Sequence, residues 1–157
     1  MKPKENLIEN LKNDVFVRLG VSKIQGVGVF AVKDIPLGTQ IFACCNGKQA
    51  LPIEVSCEDL KEIEHPVIEY MQDFIVETEA CMYHLPYRGL NSMHIMFYLN
   101  HSDNPNAKAW FGGEADDYVK FATCKDVKKG EELTEDYRYL SDDKEKIYKQ
   151  FPFLLPL

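Results

Sequence analysis

The feature that most restricts how this chain can fold is an abrupt change of composition between residues 97 and 106. Phe97-Tyr98-Leu99 is large and apolar, whereas Asn100-His101-Ser102-Asp103-Asn104-Pro105-Asn106 is almost entirely polar. A packed segment must therefore end here and a hydrogen-bonded loop begin. Asn, Asp and Ser side chains bond nearby backbone groups and Pro fixes one φ angle, so this loop can be rigid without regular structure. Taken alone, it is either a well-capped turn or the floor of a ligand site.

The size and charge of the chain exclude several classes of protein. Its 157 residues suit one domain with one core, so we predict a single domain over residues 1–157. The net charge of -7 argues against direct nucleic-acid binding, because a phosphate backbone requires a basic face, and it is compatible with a basic protein partner. The sequence has neither an apolar run of membrane-spanning length nor an apolar signal core, so we expect an intracellular protein without a membrane partner.

The cysteines do not form a recognisable metal or redox motif. They are Cys44, Cys45, Cys57, Cys81 and Cys124. Their number is odd and no C-x-x-C pair occurs. Adjacent Cys44 and Cys45 would point to opposite faces of a strand, which is typical of reduced thiols in a cytosolic or nuclear setting. We therefore predict no bound metal.

Apolar periodicity and turn residues predict a mostly β chain with short inserted helices. We expect helices over residues 5–12, from Ser56 to about 63, and over 65–71, 91–99 and 141–150. We expect strands over residues 14–20, within 22–32, and over 39–45, 74–83, 107–111, 117–124 and 132–137, with a hairpin turn at 112–116. The chain shows no repeat, low-complexity segment or linker.

Three separated segments together carry a resemblance to a known family. They are Gly26-Val27-Gly28-Val29-Phe30-Ala31, the Asn100–Asn106 loop, and Gly130-Glu131-Glu132-Leu133-Thr134-Glu135-Asp136-Tyr137. Each is weak alone, but their order, spacing and strand contexts over residues 14 to 140 resemble the SET-domain protein lysine methyltransferases. In its size and its lack of cysteine-rich flanks, the chain is most similar to the minimal viral and bacterial members.

The resemblance implies a fold and an activity. The fold would be of the β-clip, SET-like type, with several small curved sheets, short helices and a knot-like threading of the C-terminal segment beneath an earlier loop. Residues 14–140 would form its core and residues 141–157 a short closing segment. The cofactor would be S-adenosyl-L-methionine. The substrate would be a lysine ε-amine of a histone or another basic protein, in the cytoplasm or nucleus, including a host nucleus for a viral or bacterial effector.

The same resemblance assigns the cofactor site to five residues. Gly26, Val27 and Gly28 would hold the methionine part of the cofactor, because glycine lets a ligand lie directly on the main chain. Asn100 and His101 would bind its amino-acid and adenine parts, largely through backbone groups. Without the resemblance, the two glycines are equally explained by a β-turn, and His101 by a structural hydrogen bond.

Tyr137 is the predicted catalytic residue. A free lysine has a pKa of about 10.4 and is mostly protonated at neutral pH, so it cannot attack a methyl group. An apolar channel and a nearby sulfonium charge disfavour the ammonium form, and a tyrosine hydroxyl can orient the neutral amine. The other reading of Tyr137 is a core tyrosine. We expect Tyr139, Glu135 and Tyr98 to line the lysine channel, with Tyr139 pointing like Tyr137 along an extended segment.

Departures from the family pattern leave an alternative function open. Asp103 stands where many members have a zinc-binding cysteine, so the tail must close the channel, with Phe151 or Phe153 over the cofactor or simply in the core. Glu135 stands where many members have Phe or Tyr, and would either bond the target ammonium or face solvent. Cys45 replaces a tyrosine near the substrate groove. These changes also suit a catalytically decayed SET-like interaction module. A third reading is a β-rich binding protein whose motifs are only turns.

Overall fold

The computed structural model describes residues 3–43, 52–78, 81–110 and 120–155. They divide into two compact units, each built from two separate stretches of chain. The first unit comprises Met1–Ala50 and Ile95–Asp136, and the second comprises Leu51–His94 and Tyr137–Leu157. A single domain over residues 1–157 stays a prediction.

The described elements are short, and strands predominate. The helices are α1 (Pro3–Asn13), α2 (His65–Gln72) and α3 (Lys144–Gln150). The strands are β1 (Val17–Val21), β2 (Val27–Ala31), β3 (Ile53–Ser56), β4 (Met82–Leu85), β5 (Asn100–His101), β6 (Ala107–Trp110), β7 (Lys120–Thr123) and β8 (Glu132–Glu135). The predicted fold class, small β-sheets with short helices, is confirmed.

A four-stranded sheet in the order β1-β2-β8-β5 organises the first unit. Strand β8 pairs antiparallel with β2 on one side (Val29 opposite Leu133) and parallel with β5 on the other (Asn100 opposite Thr134). One face of the sheet carries the fully buried residues Val29, Ala31 and Leu133, because side chains two apart on a strand point to the same face and Val29 lies opposite Leu133. The core around them consists of Val29, Ala31, Ile35, Ile41, Phe42, Met96, Leu99, Ala107, Phe121, Val127 and Leu133.

A two-stranded sheet of β6 and β7 completes the first unit. The strands pair antiparallel, with Ala107 opposite Thr123. The strand predicted over residues 39–45 is reduced to a single bridge between Gln40 and Ala122, and positions 44–45 lie outside the described residues. The hairpin turn predicted at 112–116 also lies outside them.

The second unit contains the antiparallel pair β3–β4, with α2 and α3. Strand β3 was not predicted, because its partner β4 lies far along the chain and no local turn marks the pair (Ile53 opposite Leu85). A small core of Val76, Ile147 and Leu154 joins α3 to the segment after α2. Helix α3 begins after Asp143, whose carboxylate accepts from the backbone N–H groups of Glu145 and Lys146. That N-cap lies two residues beyond the predicted one.

Three predicted elements were wrong. The helix over residues 91–99 is two short 3-10 turns, Leu90–Ser92 and Ile95–Tyr98, separated at Met93 by extended backbone. The helix expected from Ser56 is a turn, although Ser56 and Asp59 make the reciprocal bonds of a helix start. The Ser56 hydroxyl donates to the Asp59 carboxylate at 2.6 Å, and its oxygen accepts from the Asp59 N–H at 3.3 Å. Among the described residues of the strand expected over 74–83, only Met82 and Tyr83 belong to a strand, β4, and residues 75–78 have no strand pairing.

The structure pairs Cys57 with Cys81 in a disulfide. This contradicts the interpretation of the cysteines as reduced thiols. The pair was missed because the two residues are 24 positions apart and are brought together by the pairing of Ser56 with Met82. Cys124 is a free, half-buried thiol.

Two further expectations concern the whole chain. None of the described helices combines the length and apolar character needed to cross a membrane. The knot-like threading of the C-terminal segment stays a prediction.

Candidate functional site

The buried side chain of Asn100 joins the glycine-containing turn to β8. Its Nδ2 atom donates to the carbonyl oxygens of Gln25 at 3.1 Å and Val27 at 3.2 Å. The same atom lies 2.8 Å from Oε1 of Glu132. Because these acceptors belong to the turn and to the central strand, one amide fixes the turn on the sheet. The first and second sequence motifs, predicted to meet, are therefore in contact.

The Glu132 carboxylate extends this network to the start of the turn. Both of its oxygens accept from the Ser22 hydroxyl, at 2.7 and 2.9 Å. The Ser22 oxygen in turn accepts from the backbone N–H groups of Ile24 (2.9 Å) and Gln25 (3.3 Å). The turn is thus held by hydrogen bonds at both ends, which rigidifies it in one conformation.

The two positions of the turn favour glycine for different structural reasons. A Cβ on Gly28 would collide with the Glu132 carboxylate, with Cδ only 2.8 Å away, so a side chain there would displace Glu132 from its bonds to Ser22 and Asn100. Gly26 has a φ of +49°, a conformation that favours glycine, and nothing in the described chain lies within 4 Å of a Cβ built there. The main chain at Gly26 is therefore open, a condition that a ligand needs and that Gly38, Gly89 and Gly130 share.

The loop after β5 is bonded to β8 as well as to itself. The Asn106 amide donates to the Glu132 carbonyl at 2.9 Å, and its oxygen accepts from the Thr134 N–H at 2.9 Å. Its side chain thereby takes the place of a neighbouring strand. Within the loop, the Ser102 hydroxyl accepts from the Asn104 N–H at 3.1 Å, which is the self-bonding expected from the sequence.

His101 lies between two carboxylates. Its Nε2 is 3.4 Å from Oδ1 of Asp103, and its Nδ1 is 3.8 Å from Oδ1 of Asp136. The imidazole and Asp136 are largely buried, whereas Asp103 is exposed. The aspartate that stands in place of a family cysteine therefore lies beside the imidazole of a predicted cofactor-binding residue.

Glu135 is buried opposite His101 in the β5–β8 register. Burial, reinforced by the negative charge of Asp136, raises the pKa of Glu135 to about 8. The possibility that this side chain faces solvent is excluded. A carboxyl group with such a pKa is largely protonated at neutral pH and can donate a hydrogen bond.

In the second unit, Tyr137 is half-buried within an aromatic cluster. Its ring centroid lies 4.9 Å from that of Phe151 and 6.5 Å from that of Phe153. Phe151 packs on the core of this unit, whereas Phe153 is exposed. The tail aromatics predicted to close the channel thus contact the predicted catalytic residue.

The expectation that Tyr139 points in the same direction as Tyr137 was wrong. Residues 137–139 form a 3-10 turn, in which residues two apart project to different sides, and Tyr139 is 74% exposed. Tyr98, the remaining predicted channel residue, packs on the core of the first unit. Tyr137 and Tyr139 belong to the second unit, and a site shared with the first unit stays a prediction.

Sequence reasoning missed several residues that build this site. Ser22, Glu132 and the Gln25 carbonyl were not singled out, and Asn106 was assigned only to shaping its loop. Glu132 lies inside the third motif, but nothing in the sequence distinguishes it from the neighbouring Glu131. Nothing local marks Ser22, because its role depends on a partner 110 residues away.

Comparison with known proteins places these observations in a family. The SET domain profile matches residues 26–138, from the first turn glycine to the residue after Tyr137. No protein among the curated sequences compared matches this chain.

Solved structures share the fold at low sequence identity. A Plasmodium falciparum protein named as a candidate histone methyltransferase is 19% identical with a TM-score of 0.54, over 80% of this chain and 96% of that chain. A humanized mutant of the Chaetomium thermophilum Polycomb Repressive Complex 2 bound to the inhibitor GSK343 is 19% identical, with a TM-score of 0.59, over 96% of this chain and 20% of that chain. The same complex in an autoinhibited conformation bound to S-adenosylmethionine is 19% identical, with a TM-score of 0.59, over 97% of this chain and 20% of that chain. This chain spans about a fifth of the length of those complex subunits.

Proposed function

Because this chain belongs to the SET-domain family, we propose that it is an S-adenosylmethionine-dependent protein lysine N-methyltransferase. The observation that carries the proposal is the Asn100 side chain, which bonds the Gln25 and Val27 carbonyls and the Glu132 carboxylate. It sets the open main chain at Gly26 beside the Asn100–His101 strand. Support for the cofactor comes from the family and from a solved structure of similar fold bound to S-adenosylmethionine.

The residues of the first unit fit such a cofactor. The main chain at Gly26 is open, and Val27 is partly exposed beside it. Both ring nitrogens of His101 face carboxylates, so we assign its contact with the cofactor to its backbone. The Asn100 amide is already used by protein atoms, so we assign its side chain to positioning the turn. When bound, the cofactor supplies an activated methyl group on a sulfonium.

Tyr137 would orient the lysine ε-amine. The contacts with Phe151 and Phe153 provide an apolar surface on which the neutral amine is favoured over the ammonium form. Alignment of the amine with the methyl group would supply a large part of the rate. We retain Tyr98, Glu135 and Tyr139 as proposed channel residues.

Tyr137→Phe tests this assignment. The ring packing against Phe151 is preserved, so cofactor binding measured by calorimetry should survive, while methyl transfer to a lysine peptide should fall about 100-fold or more. Tyr87→Phe is the matched control, because this tyrosine of the same unit is exposed, has no assigned role and loses the same atom. Transfer by Tyr137→Phe at the wild-type rate would remove Tyr137 from the catalytic role.

A decayed interaction module is the second candidate, and the buried Glu135 favours it. A carboxyl group occupies the position where many members of the family carry an aromatic ring. Titration with S-adenosylmethionine separates the candidates, since a module without a cofactor site gives no binding heat.

The substrate would be a basic protein in the cytoplasm or nucleus, histones included. The net charge of -7 supports a lysine-rich partner through electrostatic complementarity. Incubating the protein with radiolabelled cofactor and a mixed lysate, followed by mass spectrometry of the labelled proteins, would identify the substrate. Labelling of arginine in place of lysine would refute the proposed specificity.

A further inference from the structure

The disulfide of the second unit closes the base of the insertion between β3 and β4. Cys57 directly follows β3 and Cys81 directly precedes β4, so the bond lies beside the last pair of the two-stranded sheet, Ser56 and Met82. The Cys57 N–H also donates to the Cys81 carbonyl at 2.9 Å. The segment enclosed by the bond contains α2 and residues 73–78.

The C-terminal end of this insertion, next to the disulfide, is bonded to α3. Beside the disulfide, the N–H and hydroxyl of Thr78 both donate to the Met82 carbonyl, at 2.8 and 3.0 Å. The Lys146 ammonium donates to the Thr78 carbonyl and lies 2.7 Å from Oε1 of Glu77. One turn on, the Gln150 amide donates to the Ile75 carbonyl at 3.3 Å. Helix α3 is therefore anchored along residues 75–78.

Helix α3 leads directly into the aromatic cluster that contains Tyr137. Ile147 is fully buried against Val76, and the Phe151 N–H bonds the Ile147 carbonyl at 2.8 Å. The Phe151 ring then contacts the Tyr137 ring at 4.9 Å between centroids. A continuous series of contacts inside one unit thus runs from the disulfide to Tyr137.

We propose that Cys57 and Cys81 form a thiol–disulfide switch that controls how firmly α3 and Phe151 hold Tyr137. Cys81 is exposed and Cys57 is half-buried, so the Cys81 sulfur is the accessible point of attack. An external thiolate attacks this sulfur, the disulfide breaks, and Cys57 leaves as a thiolate that takes up a proton. A second external thiol then displaces Cys81 and leaves with the first as an external disulfide. The protein gains two electrons and two protons, and two external thiols are oxidised.

The backbone at Cys81 explains why reduction would loosen the segment. Its φ of +64° lies in the left-handed region, and it is the only residue other than glycine in the described chain with a positive φ. That conformation is unfavourable for a side-chain-bearing residue and persists where its surroundings enforce it. Once the disulfide opens, Cys81 can relax, and Met82, which accepts both bonds from Thr78, loses a fixed neighbour.

Hydrogen exchange of the full chain tests the switch. The protein is oxidised with oxidised glutathione or reduced with dithiothreitol, and exchange is followed in peptides covering residues 72–78 and 144–151. We expect exchange in both to become about tenfold faster or more on reduction and to recover on reoxidation, because the closed loop no longer restrains local opening. Peptide mapping of the oxidised sample should show Cys57 linked to Cys81. Equal exchange in the two states, or absence of that link, would overturn the inference.

Matched variants separate the switch from a general effect of reductant. Cys57→Ser/Cys81→Ser should exchange at the fast rate with or without dithiothreitol. Cys124→Ser, which removes the free thiol of the first unit, should keep the full response. A double variant that still responds to reductant would refute the assignment, and the wild-type comparison stands even where this variant folds poorly.

The expected effect of disulfide reduction on methyl transfer rests on the proposed function. The expected effect on hydrogen exchange does not depend on it. We expect reduction to lower the rate of transfer reversibly, in parallel with the change in exchange. A redox response of exchange without methyl transfer in either state would refute the proposed function and support the switch. Transfer and exchange that are both insensitive to reduction would refute the switch and leave the proposed function intact.

Discussion

Replacing Glu135 with glutamine is expected to stabilise the protein increasingly as the pH rises. The carboxyl group is only 8% exposed in the central strand β8, and burial together with the charge of Asp136 raises its pKa from 4.5 to about 8. Glutamine has the same shape and stays neutral at every pH. The substitution therefore removes the cost of a buried ionised carboxylate and keeps the packing.

The sign and size of the effect follow from proton linkage. Between pH 4.5 and about 8, the folded protein keeps a proton that the unfolded chain has lost, so this group's contribution to stability falls with rising pH and levels off above the folded pKa. One pKa unit corresponds to about 1.4 kcal/mol. From pH 6 to pH 9, the free energy of unfolding of the glutamine variant should gain about 1–3 kcal/mol relative to the wild type.

Chemical unfolding at pH 6, 7, 8 and 9 measures this difference directly. Thermal unfolding should show it as several degrees, at roughly 2–4 °C per kcal/mol for a chain of this size. Glu131→Gln is the control, because it removes a carboxylate from an exposed position one residue before β8. A difference between Glu135→Gln and the wild type that stays constant from pH 6 to pH 9 would refute the raised pKa.

Three further substitutions test the network around the turn. Asn100→Ala should lower the free energy of unfolding by about 2–4 kcal/mol, because it removes the donor shared by two carbonyls and the Glu132 carboxylate, and urea unfolding would measure the loss. Gly28→Ala should destabilise the protein by more than Gly26→Ala, since only the first methyl group meets Glu132. Gly26→Ala should keep the fold at a cost of about 1 kcal/mol and weaken binding of S-adenosylmethionine in calorimetry. Equal stability of the two alanine variants would contradict the packing reason given for Gly28.

The sequence predicted the elements whose partners are close along the chain. Strands β1 and β2 form a hairpin around the glycine turn, and α1 and α2 are amphipathic, so local patterns suffice to find them. Strand β3 was not predicted because it pairs with β4 across a long insertion, so no local pattern marks it. The apolar residues 95–98 were read as a helix, yet they are buried by packing on the first unit's core rather than by a helical period.

The candidate site was predictable where a residue type is unusual in its surroundings. Gly26 stands out because it forms a closely spaced glycine pair with Gly28 in a strand-rich segment. Asn100 stands out because it is the first polar residue after an apolar run. Ser22 and Glu132 are ordinary surface residue types, and only tertiary contacts bring them to Asn100. The pKa of Glu135 likewise depends on burial, which its own sequence neighbourhood does not reveal.

The central position of β8 has a consequence for the order in which the first unit can be assembled during synthesis. Strand β2 lies at residues 27–31, yet its inner edge is covered only when residues 132–135 have been made. Until then the Asn100 amide lacks its Glu132 acceptor, and the Asn106 side chain lacks the backbone to which it bonds. Contacts so distant in sequence form late because the intervening chain must first be ordered. The turn proposed to hold the cofactor therefore becomes rigid only after most of the chain has left the ribosome.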